Sequence, residues 1–233
     1  MIGLQEAVGR NAYPGRGIIM GRSEGGAAVC AYFVMGRSVN SRNRVFVQEG
    51  DGLRTRAHDP QKLADPSLVI YAPVRVLGPH TIVTNGDQTD TIHEALTEGK
   101  TFEDALRTRT FEPDGPHWTP RVSGLLTLRD GAVRYALSIL KRAPDGPEAC
   151  QRFFFEYEGA AGQGHFLHTY AGDGDPLPSF AGEPAAVRLA GDIDALTACL
   201  WNCLNAQNRV ALFVRFIPMD GTPAQTRVCN KLA

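Results

Sequence analysis

The chain is short of lysine, of cysteine and of long apolar runs, and each shortage excludes something. Only four of its 24 basic residues are lysine and aromatics make up 8% of the chain. A nucleic-acid stripe normally needs both lysine and interleaved aromatics. The formal net charge of −1 removes the general argument for a polyanion or an anionic membrane as partner. Five cysteines (Cys30, Cys150, Cys199, Cys203, Cys229) form an odd set with no CxxC pair, which argues against a disulfide framework and a structural zinc. The longest apolar run, Ala27 to Met35, is strand-sized and far short of the roughly 18 residues of a membrane span. Residues 1–17 lack the basic-then-apolar pattern of a secretory leader. We therefore expect a cytoplasmic globular chain. The GxGxxG, GxxxxGK[ST] and HExxH patterns are also missing, so nicotinamide, P-loop and zincin readings lose their main support.

What is present is a 233-residue chain, 43% hydrophobic, enough for a sizeable core. No repeat or low-complexity tract divides it, and the Gly, Pro and Asp-rich loop 172–183 is too short for a linker. One domain over residues 1–233 is the simplest expectation. Charge is uneven along the chain: residues 1–44 carry +4 and the remainder −5. Twenty of the basic residues are arginine. Arginine suits bidentate recognition of phosphate, and a coding bias would raise the same count. The position of the basic excess suggests a local anion site.

Strand signals dominate. Apolar, β-branched runs lie at 17–20, 28–35, 45–48, 68–71, 74–77, 81–84, 122–128, 133–141, 152–157, 165–170 and 210–217. Glu24-Gly25-Gly26 and Asp130-Gly131 read as hairpin turns. Helical signals occupy two places. Thr91 with Glu94 and Thr101 with Asp104 fit capping boxes around a stop at Gly99, so 90–109 holds two short helices or one broken helix. In 192–208, Ile193, Leu196, Cys199, Leu200, Cys203 and Leu204 share one face at helical spacing, and we expect that whole stripe to be buried. Hairpin-linked strands with grouped helices imply antiparallel sheets with helices outside, an α+β chain.

Four segments could carry chemistry. Gly36-Arg37-Ser38-Val39-Asn40-Ser41-Arg42-Asn43-Arg44 follows an apolar strand with three guanidinium groups, two hydroxyls and two carboxamides beyond it. It fits a phosphate site or a solvated polar turn equally well. Thr84-Asn85-Gly86-Asp87-Gln88-Thr89-Asp90 joins a strand to a capped helix. Its Asn-Gly explains a turn, while the crowding of amides suits a heterocycle or a ribose. Phe111-Glu112-Pro113-Asp114 leading to Trp118-Thr119-Pro120-Arg121 offers two acid–base groups. In Gly164–Tyr170, His165 and His168 fall on opposite faces of a strand, so a two-histidine metal site is not expected.

Together these pieces resemble the archaeal-type IMP cyclohydrolase family, in its bacterial branch. The resemblance is carried by Asn11-Ala12-Tyr13-Pro14-Gly15-Arg16-Gly17, Gly36-Arg37-Ser38 with Ser41-Arg42-Asn43-Arg44, Val83–Ile92, Thr119-Pro120-Arg121 and Gly164–Phe180. These span nearly the whole chain in order. The sequence departs from the pattern at Ala72, where archaeal members carry Asn, and in the stretch Pro116-His117-Trp118.

The resemblance implies a four-layer αββα sandwich of two antiparallel sheets, similar to the N-terminal-nucleophile hydrolases but without their N-terminal nucleophile. The implied reaction closes 5-formamidoimidazole-4-carboxamide ribotide to IMP with loss of water, with no cofactor and no metal. It further implies Arg37, Ser38, Asn43 and Arg44 as ligands of the 5′-phosphate, with Arg16 as a further contact. Asn85, Asp87, Thr119 and Arg121 would meet the base and ribose. Tyr71 and Glu112 would move protons, aided by Arg75 or Arg121. The partner is a purine ribonucleotide, with no nucleic acid and no membrane; self-association is left open. The rival readings are a non-catalytic purine-nucleotide-binding protein and a related amidohydrolase on the same fold.

Overall fold

The computed structural model describes residues 1–63, 66–146 and 148–232. The chain opens with α1 (Leu4–Gly9), then the hairpin β1 (Arg16–Arg22) and β2 (Ala28–Met35), and a short helix α2 (Val39–Arg42). Next come β3 (Val45–Glu49), β4 (Gly52–Arg56), β5 (Val74–Leu77) and β6 (His80–Thr84), then helices α3 (Gln88–Thr97) and α4 (Phe102–Arg107). The second half runs β7 (Arg121–Arg129), β8 (Ala132–Arg142), β9 (Cys150–Glu158), β10 (Gln163–His168), β11 (Ala185–Arg188), α5 (Ile193–Cys203), β12 (Arg209–Ile217) and β13 (Gln225–Asn230).

These strands form two sheets. One has six strands in the order β11-β10-β1-β2-β12-β13, and the other is a consecutive meander from β3 to β9. All the strand pairs within both sheets are antiparallel. The alternation of each strand distributes side chains between layers. Ile18 and Met20 meet Val83, Val122 and Leu137 between the sheets. Ile19 and Phe33 point the other way, onto Leu4, Leu196 and Leu200 of α1 and α5. On the far side, Ile82, Ala136 and Leu140 pack against Ile92 of α3 and Leu106 of α4. The layers are therefore α, β, β, α, as expected. No helix among the described residues is long and apolar enough to cross a membrane.

Several expectations need correction. The run Leu68–Tyr71 is a turn, not a strand, because the amides of Val69 and Ile70 both donate to the carbonyl of Pro66. A proline at each side (Pro66, Pro73) keeps that segment out of a ladder. Of the two capping boxes, only that of Thr101 and Asp104 forms; α3 starts three residues before Thr91. On α5 the buried residues are Ile193, Leu196, Thr197 and Leu200, and Cys199 is exposed. The helix turns its apolar face so that Cys199 falls on the solvent side, and Thr197 takes an inner place by donating to the Ile193 carbonyl at 2.6 Å.

Candidate active site

The end of the sandwich where β1 starts and β6 gives way to α3 gathers the charged groups. Arg16 shares the face of Ile18 and Met20 on β1, so it is directed between the sheets. Arg44 precedes β3 and is fully buried. Its Nε donates to the Ser41 carbonyl at 2.9 Å, which fixes the guanidinium. Both Nη atoms of Arg44 and the Nε of Arg16 are buried without a hydrogen-bond partner among the described residues. Burial lowers the pKa of Arg44, and the like charge of Arg16 lowers it further. For Arg16 burial acts against the charge, but the groups around it, Tyr170 and Glu112 foremost, reverse this and hold it firmly protonated. Buried donors left empty are costly, and here they belong to two guanidinium groups close enough for one charge to act on the other.

Facing them are three acidic or phenolic groups. Tyr71 is clamped by Thr55, whose Oγ1 accepts from the Tyr71 amide at 2.8 Å and donates to the Val69 carbonyl. The Tyr71 hydroxyl lies 2.8 Å from that of Tyr32 on β2. Burial raises both phenols, and the proximity of Tyr71 adds to the shift at Tyr32. Glu112 is 2% exposed. Burial pushes its pKa up to about 7 against the opposing pull of Arg16 and Arg121. A buried carboxyl near neutrality can both take and give a proton at working pH.

A polar lattice supports Glu112. The Asn85 amide group donates to Glu112 Oε1 at 3.4 Å and to the Pro120 carbonyl at 2.9 Å. Its Oδ1 accepts from Gln88 and from the Val122 amide. Arg121 donates to Asp87 and Gln88, each at 2.7 Å. Burial would raise Asp87, but hydrogen bonding from Arg109 and the charge of Arg121 outweigh it and hold the carboxylate low. Gly86 makes the close approach feasible: a Cβ there would stand 2.6 Å from Arg121 Nη1. The Thr119 hydroxyl is bonded to Asp114 and to the Tyr170 hydroxyl, and Tyr170 stacks on Tyr13. The loops after β6 and before β7 thus meet, because β6 and β7 are neighbours in one sheet.

Four sequence-derived positions sit otherwise than expected. Arg75 lies on the helix-facing side of β5 and pairs with Asp90 at 2.8 Å; its neighbour Val74 takes the inner face. Ser38 is an exposed helix cap whose hydroxyl accepts from the Ser41 amide. Asn43 spends both ends of its carboxamide on the backbone of Asp59. Short polar side chains beside a bend find local backbone partners first. Arg37 is engaged by Asp173 and the Gly174 carbonyl, over the Tyr13 ring. The polar-turn reading therefore accounts for Ser38 and Asn43, while Arg16 and Arg44 enter the buried cluster. Tyr32 went unnoticed in the sequence, being embedded in an apolar run. Gln88, Asp114 and Tyr170 lay within the segments that stood out.

The model of a family described as IMP cyclohydrolase-like protein matches residues 13–221. A protein named IMP cyclohydrolase from Methanopyrus kandleri is 31% identical over 170 residues, 72% of this chain and 79% of that protein. One of the same name from Halobacterium salinarum is 34% identical over 143 residues, 58% and 69% of the two chains. Another from Methanococcus maripaludis is 27% identical over 127 residues, 53% and 62%.

Proposed function

The chain belongs to the IMP cyclohydrolase-like family, and on that premise we propose that it closes 5-formamidoimidazole-4-carboxamide ribotide to IMP and water. The observation that carries the reading is Glu112, buried and titrating at about 7, within a cluster that holds two arginines with unpartnered donors and two linked tyrosines. In the reaction the carboxamide nitrogen bonds to the formyl carbon. It loses one proton, the formamido nitrogen loses another, and both depart with the formyl oxygen as water. An amide nitrogen is a weak nucleophile, so holding it against the formyl carbon supplies much of the acceleration.

In this reading Glu112 accepts the carboxamide proton and returns it toward the departing oxygen. The Tyr71 hydroxyl, polarised by Tyr32, donates to the formyl oxygen as charge develops there. Arg16 and Arg44 take the 5′-phosphate through their unpartnered nitrogens, with Arg37 at the rim. Asp87, Thr119 and Arg121 border the base and ribose, while Asn85 and Gln88 hold Glu112 and Arg121 in place.

Residues 1–233 serve as one domain in this reading; β12, close to the C-terminus, completes the sheet begun by β1 and β2. A cytoplasmic location agrees with five cysteines that are all free. The decisive experiment is a spectrophotometric assay of IMP formation from the formylated ribotide. Turnover by the native protein and its loss in Glu112→Gln support the enzyme; tight IMP binding without turnover would favour the nucleotide-binding rival.

A further inference from the structure

Two sheets have four edges, and three of them are blocked. The edges β3 and β13 are clasped together by Asn230, whose carboxamide accepts from the Phe46 amide at 2.7 Å and donates to the Phe46 carbonyl at 3.0 Å. The edge β11 is covered by the N-terminal segment: Ile2 donates to Ala186 and accepts from Arg188. The fourth edge, β9, has nine residues, pairs with β8 on one side and, among the described residues, has no strand on the other. It contains no proline and no lysine, reads Cys-Gln-Arg-Phe-Phe-Phe-Glu-Tyr-Glu, and exposes Phe153. A long aromatic edge left open is a template for strand addition.

We propose that β9 pairs antiparallel with β9 of a second copy about a two-fold axis at Phe154, continuing the seven-stranded sheet through both molecules. The sequence of β9 is self-complementary about that residue. Pairing about Phe154 sets Arg152 opposite Glu156 of the other copy, twice by symmetry, and Phe153 opposite Phe155. Glu158 is already matched by Arg134 on its own cross-strand neighbour, whereas Glu156 is exposed and has no basic partner among the described residues. Arg152 is held on the helix side of the strand by donating to the Arg109 carbonyl at 2.7 Å, and its Nε has no partner. Moving the axis by one residue in either direction loses the Arg152–Glu156 match. Registers that pair even with odd positions would turn one copy's helix layer to the other side. An isologous contact of this kind closes on itself and leaves no further edge to grow.

Sedimentation velocity at tens of micromolar tests this. The native protein should sediment as a dimer. Glu156→Arg, which sets arginine against arginine, should sediment as a monomer with an unchanged circular dichroism spectrum. Arg152→Glu/Glu156→Arg, which exchanges the charges, should restore the dimer. Hydrogen exchange of β9 gives a second readout: its outward amides should be slow in the native protein and fast in Glu156→Arg. A monomeric native protein, or a folded Glu156→Arg that stays dimeric with protected β9 amides, would overturn the proposal. So would a folded charge-exchanged variant that stays monomeric.

Discussion

The hydroxyl groups of Tyr32 and Tyr71 lie 2.8 Å apart across 39 residues of chain, one from the middle of β2 and one from the turn before β5. When one phenol donates to the other, the recipient's own proton is free for a third group. Burial keeps both phenols protonated far above neutrality. Tyr71→Phe should therefore lower turnover by roughly 10²–10⁴-fold, with IMP affinity little changed. Tyr32→Phe should lower it less, since the donor remains and only its partner is lost. Single-turnover rates with equilibrium IMP titrations check both; native rates in Tyr71→Phe would remove it from the chemistry.

Glu112 links activity to pH-dependent stability. Its carboxyl titrates near 4.5 without the fold and at about 7 within it. The folded state then holds the proton more tightly, so this stabilisation is full below the lower value and is lost as pH rises through the upper one. Glu112→Gln keeps the shape and removes the buried charge. Its unfolding free energy relative to native should rise between about pH 5 and pH 8, by up to the order of 3 kcal/mol, and melting temperatures should follow. Turnover should fall in the same variant. Parallel melting curves for the two proteins at all pH values would contradict the buried-acid assignment.

Arg44 has no ion pair among the described residues, and neither of its Nη atoms has a hydrogen-bond partner there. Arg44→Met should raise the melting temperature in low-phosphate buffer, because the like charge of Arg16 is relieved. Inorganic phosphate should stabilise the native protein by mass action and leave this variant unmoved. IMP should bind the variant more weakly by roughly 1.5–3 kcal/mol, with inosine affected much less. Equal losses for nucleotide and nucleoside would move Arg44 from the phosphate to the base.

Asn85 makes four hydrogen bonds with its carboxamide alone. Asn85→Ala should destabilise by about 1–3 kcal/mol for each buried group left unsatisfied and should also shift the pH profile of turnover through Glu112. Chemical denaturation and a pH–rate profile separate these effects. Lost stability with an unaltered profile would make Asn85 a turn residue only.

Two neighbours on α5 should respond in opposite ways. Leu200 is fully buried and Cys199 is exposed. Leu200→Ala should cost about 2–5 kcal/mol through a core cavity, whereas Cys199→Ser should stay within about 0.5 kcal/mol. Urea denaturation of both variants measures the contrast.

The sequence shows the fold where local chemistry and tertiary structure agree. The β1–β2 hairpin announces itself by Glu24-Gly25-Gly26, the β7–β8 hairpin by Asp130-Gly131, and α4 by Thr101 with Asp104. It misleads where composition and geometry part. Leu68 to Tyr71 is apolar enough for a strand, yet Pro66 bends it into a turn. Cys199 keeps helical spacing with Leu196 and Cys203, but a periodicity does not say where the buried arc ends. In the site, Glu112 is legible as a candidate acid in a polar segment, while the convergence of the loops of Asn85 and Arg121 is implied only by the family resemblance. Ser38 and Asn43 had the right chemistry but met nearer backbone partners. Tyr32 could not be singled out, because only the register of β2 against β1 and β12 sends it toward Tyr71 and not toward Phe33's layer.

The two sheets also differ in when they can be finished. The seven-stranded meander takes its strands consecutively from 45 to 158, so it can close while synthesis continues. The β1–β2 hairpin is made first, but its flanks are β10 and β12, which emerge more than 120 residues later. All eight residues of β2 are buried in the finished protein, and on the ribosome they must wait for a partner. The segment most in need of chaperoning is thus the earliest strand pair, and slow or interrupted translation before β12 should raise its aggregation.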